Sequence, residues 1–361
     1  MPPSLRRRLV SALLGGLAVA GVPGSAAEPV VVFKMPPPPP PAPVTAAAAE
    51  EPDPPAGLAP REPAAPETPA PRPAVTGVPV TSWLEAQIAL ACEGFSSGPI
   101  DGVGGAQSAA ALRAYQESRD LPATGALDAA TRAKLVLTAP PLTQLVLTPA
   151  DLARLQPLET TWVGKSQQSA LDYETALELV AERTHASPHL IRRLNPDVDW
   201  TQPAPGTPLV VPAVARLPKT KKAARVMVQL SARVLQVFDA DGGLIAHFPV
   251  SIASRVEKRP VGELRVTVVV PNPDYTFNPE VFPESEEART LGRKLILPPG
   301  PNNPVGLAWI GLDLPGYGIH GTPKPEQVGR TESHGCFRLA NWDALTLLDF
   351  AWSGLPIVVE P

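Results

Sequence analysis

The sequence predicts a chain of several domains: a small α-helical domain, a small α+β module and a mainly β C-terminal domain. Prolines are concentrated in residues 28–80, which hold 18 of the 49 in this 361-residue chain, and a compact domain does not tolerate that density. Apolar residues then recur at helical spacing from Trp83 to Leu135, and short β-branched segments alternate with turns from residue 225 onward. The roughly 280 residues beyond the proline-rich segment suffice for two or three ordered domains.

Composition excludes several classes of protein. The formal net charge is −4 and the Lys and Arg residues are scattered, so counterion-driven binding of nucleic acid is not expected. Only two cysteines occur, Cys92 and Cys336, which excludes a scaffold held by several disulfides. We expect Cys92 to be a buried structural residue of the helical domain and not to pair with Cys336.

The N-terminus predicts export. Three arginines, Arg6 to Arg8, precede an apolar run from Leu9 to Val22, and the small residues Ser25-Ala26-Ala27 follow. This order is typical of a signal peptide over residues 1–27, since about 14 apolar residues are fewer than the roughly 20 needed to span a bilayer. The alternative is an uncleaved membrane anchor. The predicted location is the periplasm or cell envelope, with membrane contact only if the segment is retained.

Residues 28–80 are predicted to form a disordered linker. The segment alternates Pro, Ala, Glu and Thr and contains six consecutive prolines, Pro36 to Pro41. Such a composition cannot bury enough apolar surface to fold, and proline favours an extended polyproline helix. We interpret it as a spacer. The alternative is a docking site for a proline-binding partner.

Residues 81–140 predict three helices separated by glycine turns. The second helix runs from Ala106 to Ser118 and the third from Asp128 to Leu137. The order resembles the three-helix peptidoglycan-binding domain. The resemblance is carried by Ile100-Asp101-Gly102, Tyr115-Gln116, Leu121-Pro122-Ala123-Thr124-Gly125 and Thr131 to Leu135. A helical spacer without a ligand is the alternative.

Residues 160–213 predict two short helices followed by an edge strand. The first helix begins at Tyr173, the second follows His185-Ala186-Ser187-Pro188, and residues 205–212 form a turn into the strand. This order resembles the LysM module, which implies binding to the glycan of peptidoglycan. His185 and His189 have a spacing that can bind metal, but Pro188 between them favours surface residues at a helix start.

Residues 222–361 predict a mainly β domain. Strands are expected at residues 226–230, 234–238, 245–252, 264–270 and 357–359. Asn341 is expected to cap a helix from Trp342 to Trp352. The proline-punctuated residues 272–301 predict a structured excursion or lid outside the core.

The candidate chemistry lies between His320 and Arg338. A thiol attacks carbonyl groups as the thiolate, and a nearby imidazole is expected to lower the pKa of Cys336; His320 and His334 are both candidates. Gly335 allows backbone N–H groups near Cys336 to face one point, as an oxyanion hole requires. The alternatives are a buried structural cysteine and a zinc site of both histidines with Cys336. No fourth zinc ligand is evident, so no metal is expected.

A resemblance adds to this interpretation. Ile319-His320-Gly321-Thr322 and Ser333-His334-Gly335-Cys336, followed by Arg338 and Asn341, resemble the signature of the L,D-transpeptidase (YkuD-like) catalytic domain. The resemblance implies a YkuD-like β-sandwich in which Cys336 is the nucleophile and His320 the general base, oriented by the Gly321 carbonyl. It further implies oxyanion donors at His334, Gly335 and Cys336, and a substrate site shaped by Ser333, Arg338, Asn341 and Thr322.

The implied reaction is acyl transfer without a cofactor. Cys336 would attack the bond between diaminopimelate and D-alanine in a peptidoglycan tetrapeptide stem, and an amine would resolve the thioester. That amine would belong to another stem or to an envelope lipoprotein, with peptidoglycan glycan as a further partner. The alternatives are an L,D-carboxypeptidase, in which water resolves the thioester, and a non-catalytic peptidoglycan-binding protein. A lytic glycan hydrolase ranks lower, because no supporting carboxylate pair is evident.

Overall fold

The computed structural model describes residues 77–215, 222–282, 285–331, 333 and 335–361. The predicted signal peptide lies outside the described residues, as does nearly all of the predicted linker. The linker prediction extends too far toward residue 80, because Val78–Pro79 form strand β1 and the Val80 side chain is buried in the helical domain. In the described part of the chain, no helix has the length and apolar character needed to cross a membrane.

The first ordered unit contains three helices and a two-stranded sheet. Its elements are α1 (Trp83–Glu93), α2 (Ala106–Glu117), α3 (Ala129–Lys134) and β2 (Val136–Leu137), which pairs antiparallel with β1. Ser82 and Glu85 form a capping box at the start of α1, and Gly94, at φ 88°, ends it. The third helix is shorter than predicted, because Leu135 is extended and the next two residues pair with β1.

The second unit is a strand–helix–helix–strand arrangement with two extra short helices. Its elements are β3 (Leu142–Val146), α4 (Pro149–Ala153), α5 (Trp162–Gln167), α6 (Ala176–Arg183), α7 (Pro188–Leu194) and β4 (Pro208–Pro212). β3 pairs antiparallel with β4 from end to end. The predicted start at residue 160 is therefore too late. β3 gave a weak signal because none of its five side chains is fully buried.

The C-terminal domain is mainly β. Its elements are β5 (Arg225–Gln229), β6 (Val234–Phe238), β7 (Leu244–Pro249), β8 (Gly262–Pro271), β9 (Tyr275–Phe277), α8 (Glu286–Leu291), β10 (Leu295–Leu297), β11 (Ala308–Leu312), β12 (Gly318–His320), β13 (Phe337–Arg338), α9 (Asn341–Leu348) and β14 (Pro356–Glu360). Eight of the strands form one sheet in the order β13-β12-β11-β8-β14-β5-β6-β7. The pairs β12–β13 and β14–β5 are parallel and the other neighbours are antiparallel.

The predicted strands of this domain are observed, although β7 ends at Pro249 and not at residue 252, and the prediction for the last helix needs correction. Asn341 does not cap the helix: Ala340 is the N-cap, and the Asn341 side chain is engaged elsewhere. The helix ends at Leu348 and not at Trp352, because Phe350 and Ala351 both donate to the Leu347 carbonyl and tighten the last turn. Gly354, at φ 102°, then reverses the chain into β14.

The described residues of the excursion at 272–301 are structured and pack against the second unit. Its hairpin β9–β10 and helix α8 surround a small apolar core to which Leu171 of the second unit also belongs. The Trp162 ring of α5 stacks on Phe277 at 4.2 Å between centroids. The Glu287 carboxylate accepts from the backbone N–H groups of Trp162 and Val163, both at 2.8 Å. The second unit therefore holds the excursion through stacking and hydrogen bonds.

Both upstream units contact helix α9. Ser96 of the first unit donates from its hydroxyl to the Asp343 carboxylate at 2.9 Å. The His185 ring of the second unit stacks on Trp342, with centroids 5.3 Å apart. The first unit also pairs with the edge of the large sheet, where Ser96 N–H donates to the carbonyl of His247 in β7. The helix that follows the candidate motif is therefore contacted by both upstream units.

Candidate active site

The strand register brings Cys336 and His320 to one face of the sheet. Strand β12 pairs in parallel with β13, so that Ile319 lies beside Phe337 and His320 beside Arg338. Side chains alternate along a strand, and Ile319 and Phe337 are both buried in the core. His320 therefore points to the opposite face, as does Cys336 when the alternation is continued one residue before β13, and the Trp309 indole covers Gly318 on this face.

The His320 imidazole is held by its own neighbour. His320 is 6% exposed, and its Nδ1 lies 2.6 Å from the Gly321 carbonyl oxygen. A carbonyl only accepts, so Nδ1 carries the proton and Nε2 of the neutral ring keeps a lone pair. Burial lowers the pKa of His320 to about 4; the Gly321 hydrogen bond opposes this shift and the positive Arg338 adds to it. The ring is therefore a neutral base at physiological pH.

The Cys336 thiol is also neutral in the free protein. Burial raises the pKa of Cys336 to about 11, against the smaller opposing effects of the Gly318 backbone and Arg338. Its Sγ lies 3.5 Å from the Gly316 carbonyl oxygen. The expectation that a nearby imidazole lowers this pKa is therefore wrong, because a neutral His320 supplies no positive charge to stabilise a thiolate.

Ser333 shapes the turn that leads to Cys336. Its hydroxyl donates to the Cys336 carbonyl at 2.6 Å and accepts from the Gly335 N–H at 3.3 Å. Its backbone is tied to the neighbouring strand end through Ile252 and Ser254. Of the three expected oxyanion donors, His334 lies outside the described residues. The Gly335 N–H already donates to the Ser333 hydroxyl, at 3.3 Å.

The remaining candidate residues lie at different depths. The half-buried Arg338 is close enough to influence the pKa values of both His320 and Cys336. Thr322 is 5% exposed and its hydroxyl accepts from Lys324 N–H. Asn341 is fully buried, and its side-chain oxygen accepts from the Leu307 N–H at 3.2 Å. Asn341 thus lies behind the motif, against the backbone that carries His320.

Three aromatic residues near the thiol and imidazole were missed by sequence reasoning. Trp309 of β11 is the cross-strand neighbour of His320, and their rings stack at 5.7 Å. Tyr317 lies beside Gly335, and its hydroxyl donates to the Lys258 carbonyl at 3.1 Å. Tyr275 of the excursion is close enough to Cys336 for the thiol to influence its pKa, which burial raises above its usual value. No local motif marks them, because strand register and the path of the excursion place them there.

The described residues do not group as metal ligands. Within the described ranges, no three His, Cys, Asp or Glu side chains lie together as a metal site requires. Cys92 and Cys336 are both free thiols. Burial raises the pKa of Cys92, whose Sγ lies 3.8 Å from the Ala213 carbonyl at the contact between the two upstream units.

Comparisons with known families match two parts of the chain. Residues 223–359 match the model of the L,D-transpeptidase catalytic domain, and residues 81–135 match that of a putative peptidoglycan binding domain. A putative L,D-transpeptidase YkuD of Bacillus licheniformis is 25% identical over 51% of this chain and 93% of its own length. The probable L,D-transpeptidase ErfK/SrfK of Salmonella typhimurium is 31% identical over 43% of this chain. The chain spans 50% of the length of this second relative.

Solved structures are similar at lower identity. An L,D-transpeptidase from Mycobacterium smegmatis is 19% identical, with a TM-score of 0.31, over 44% of this chain and 69% of that one. L,D-transpeptidase 3 from Mycobacterium tuberculosis is 16% identical, also with a TM-score of 0.31, over 44% of this chain and 77% of that one.

The C-terminal domain is thus a mainly β domain that presents a cysteine and a buried neutral histidine on one sheet face. Residues 223–359 match the L,D-transpeptidase catalytic domain family, and a putative peptidoglycan binding domain is matched upstream in the same chain. Both resemblances drawn from the sequence motifs are confirmed. The resemblance of the second unit to LysM stays a prediction.

Proposed function

We propose that this protein is a peptidoglycan L,D-transpeptidase in which Cys336 is the nucleophile and His320 the general base. The observation that carries the proposal is the orientation of His320. Its Nδ1 is engaged by the Gly321 carbonyl at 2.6 Å, which leaves Nε2 available on the face that also bears Cys336. A base must keep a free lone pair to take the proton of the nucleophile, and the tautomer protonated at Nδ1 keeps that lone pair on Nε2.

In the first step, Nε2 of His320 accepts the Cys336 proton as Sγ attacks the carbonyl carbon between diaminopimelate and D-alanine. Both groups begin neutral, so the proton moves with the attack and no resting ion pair is needed. The carbon–nitrogen bond then breaks, the D-alanine nitrogen takes the proton from His320, and a thioester remains on Cys336. The backbone N–H groups of His334, Gly335 and Cys336 would stabilise the oxyanion.

In the second step, an amine attacks the thioester and loses a proton to His320. The carbon–sulfur bond then breaks, and His320 returns that proton to Cys336 Sγ, which leaves as the thiol. We propose a second peptidoglycan stem as the donor of this amine. An amine of an envelope lipoprotein would give protein attachment to the wall, and water in place of the amine would give L,D-carboxypeptidase activity.

The upstream units support a function at the cell wall. The peptidoglycan binding domain at residues 81–135 would retain the enzyme on its polymer substrate. The second unit has the strand–helix–helix–strand order of a LysM module, in which β3 and β4 pair around α6 and α7. We propose that it binds glycan and that the protein acts in the periplasm or cell envelope after export.

The test is mass spectrometry of the full chain with a disaccharide-tetrapeptide, beside Cys336→Ala, with Cys92→Ala as the matched control. We expect loss of D-alanine, an acyl adduct on Cys336 and cross-linked dimers, all retained in Cys92→Ala and lost in Cys336→Ala. Tripeptide without dimers, even when a lipoprotein acceptor is added, would identify a carboxypeptidase. A folded protein that forms no adduct would identify a binding protein and overturn the proposal.

A further inference from the structure

A carboxyl group of the second unit forms a hydrogen bond with a buried side chain of the catalytic domain. Glu182 lies near the end of α6, and its Oε2 accepts from the Asn341 side-chain amide at 2.9 Å. Its Oε1 accepts from the Tyr173 hydroxyl at 3.2 Å. The contact joins residues 159 positions apart in the sequence, so it exists only because the second unit packs on α9.

The amide of Asn341 is fixed on every side. Its Nδ2 donates to Glu182 and to the Pro301 carbonyl at 3.1 Å, and its Oδ1 accepts from the Leu307 N–H at 3.2 Å. Two donated bonds and one accepted bond define the plane of a side-chain amide. Asn341 is 0% exposed, so water cannot replace a lost partner.

The Asn341 amide lies directly against the peptide that orients the imidazole. A Cβ atom placed on Gly321 would overlap Asn341 Oδ1, at a separation that non-bonded atoms do not reach in proteins. The backbone of Gly321 and the Asn341 amide are therefore in contact. The Gly321 carbonyl in turn holds His320 Nδ1 at 2.6 Å. A tilt of the amide would move the carbonyl that selects the His320 tautomer.

We propose that Glu182 is a positioning residue for His320, acting through Asn341 and the Gly321 peptide. The second unit is then part of the machinery that prepares the base, in addition to any binding of its own. This inference rests on the proposed function, since the role of His320 as general base is taken from it. Glu182 itself touches neither the thiol nor the imidazole.

A neighbouring carboxyl group provides a matched control. Glu178 lies one turn earlier on α6 and accepts from the Asn302 side chain at 2.6 Å, so it makes a contact across the same interface. Neither Glu178 nor Asn302 has a hydrogen bond to Asn341 among the described contacts. Loss of the Glu178 carboxylate therefore reports on docking of the second unit against the catalytic domain. Loss of the Glu182 carboxylate reports both on this docking and on the link to His320.

The experiment compares Glu182→Met, Glu182→Gln and Glu178→Met in the full chain. Methionine keeps the volume and removes the acceptors, and glutamine keeps one acceptor for Asn341. Two readouts are taken: kcat and KM for release of D-alanine from the tetrapeptide, and the nitrogen NMR shifts of the His320 ring, assigned with His320→Gln. The second readout does not require turnover.

We expect Glu182→Met to lower kcat roughly tenfold with KM within about twofold, and to mix the His320 tautomers. Glu182→Gln should restore both readouts, and Glu178→Met should change neither. Equal kcat losses in the two methionine variants, with an unchanged His320 spectrum, would overturn the inference. If the wild type releases no D-alanine, the proposed function fails, and the NMR comparison still decides whether Glu182 positions His320.

Discussion

The indole of Trp309 lies beside the imidazole of His320, with ring centroids 5.7 Å apart and planes 23° from parallel. Gly311 and Gly318 make room for this indole, because a Cβ atom at Gly318 would lie 2.6 Å from the Trp309 ring. The indole helps to exclude water from His320, and that exclusion is the main cause of the low pKa of His320.

Replacing Trp309 should therefore raise the pKa of His320. We expect Trp309→Ala to raise that pKa from about 4 toward the ordinary 6.5, because water reaches the charged form of the ring. The measurement is an NMR titration of the His320 side chain. Trp352, which is 47% exposed, provides the control, since Trp352→Ala should leave the titration unchanged. An unshifted pKa in folded Trp309→Ala would contradict this prediction.

Gly321 should not tolerate replacement by a residue with a side chain. Gly321→Ala would place Cβ in contact with Asn341 Oδ1, and the overlap would displace the peptide that orients His320. We expect a loss of stability of about 1–3 kcal/mol and a larger loss of turnover. Thermal unfolding and D-alanine release measure the two effects. Gly105→Ala is the control, since no atom lies within 4 Å of a Cβ there, and wild-type turnover in Gly321→Ala would refute the expectation.

The reactivity of Cys336 in the free protein should depend steeply on pH. The thiolate is the reactive form, and burial raises the pKa of Cys336 to about 11. Alkylation by iodoacetamide should therefore keep rising about tenfold per pH unit up to pH ~9.5, whereas an unfolded peptide of residues 333–339 should level off near its ordinary pKa. Peptide mass spectrometry separates Cys336 from Cys92. A plateau below pH ~8 would show instead a stabilised thiolate.

Asp343 should make stability depend on pH. Burial raises the pKa of Asp343 to about 8 from an ordinary value of 3.8, against a smaller opposing effect of the Ser96 hydrogen bond. A raised carboxyl pKa means that the folded state binds the proton more tightly. The stabilisation is therefore complete below pH 3.8 and is lost as the pH rises toward 8.

The comparison is urea unfolding of wild type and Asp343→Asn at pH 5 and pH 8. Asparagine cannot ionise and still accepts from Ser96. From pH 5 to pH 8, the free energy of unfolding of the variant should therefore rise by on the order of 3 kcal/mol relative to that of wild type. Asp241→Asn, at an exposed turn, should show no such gain. A constant difference between wild type and Asp343→Asn would contradict the prediction.

The order of local elements could be predicted from the sequence. The alternation of β-branched residues predicted β5, β6, β8 and β14, and helical spacing predicted α1 and α2, because side-chain periodicity is a local property. The motifs around His320 and Cys336 indicated the family, because a motif is also a local property of the sequence. Strand β3 and the end of α3 were missed, because both depend on pairing with a distant strand.

The sequence by itself determined which residues could do chemistry: one cysteine, two candidate histidines and a turn that contains Gly335, all within nineteen positions. Only the tertiary structure decided the pKa values and the surroundings of these residues. Burial, which no local pattern encodes, lowers the pKa of His320 and raises that of Cys336. Strand pairing brings Trp309 against His320, and packing of the second unit brings Glu182 against Asn341. These contacts join positions far apart in the chain, so their energies arise only when the units have folded together.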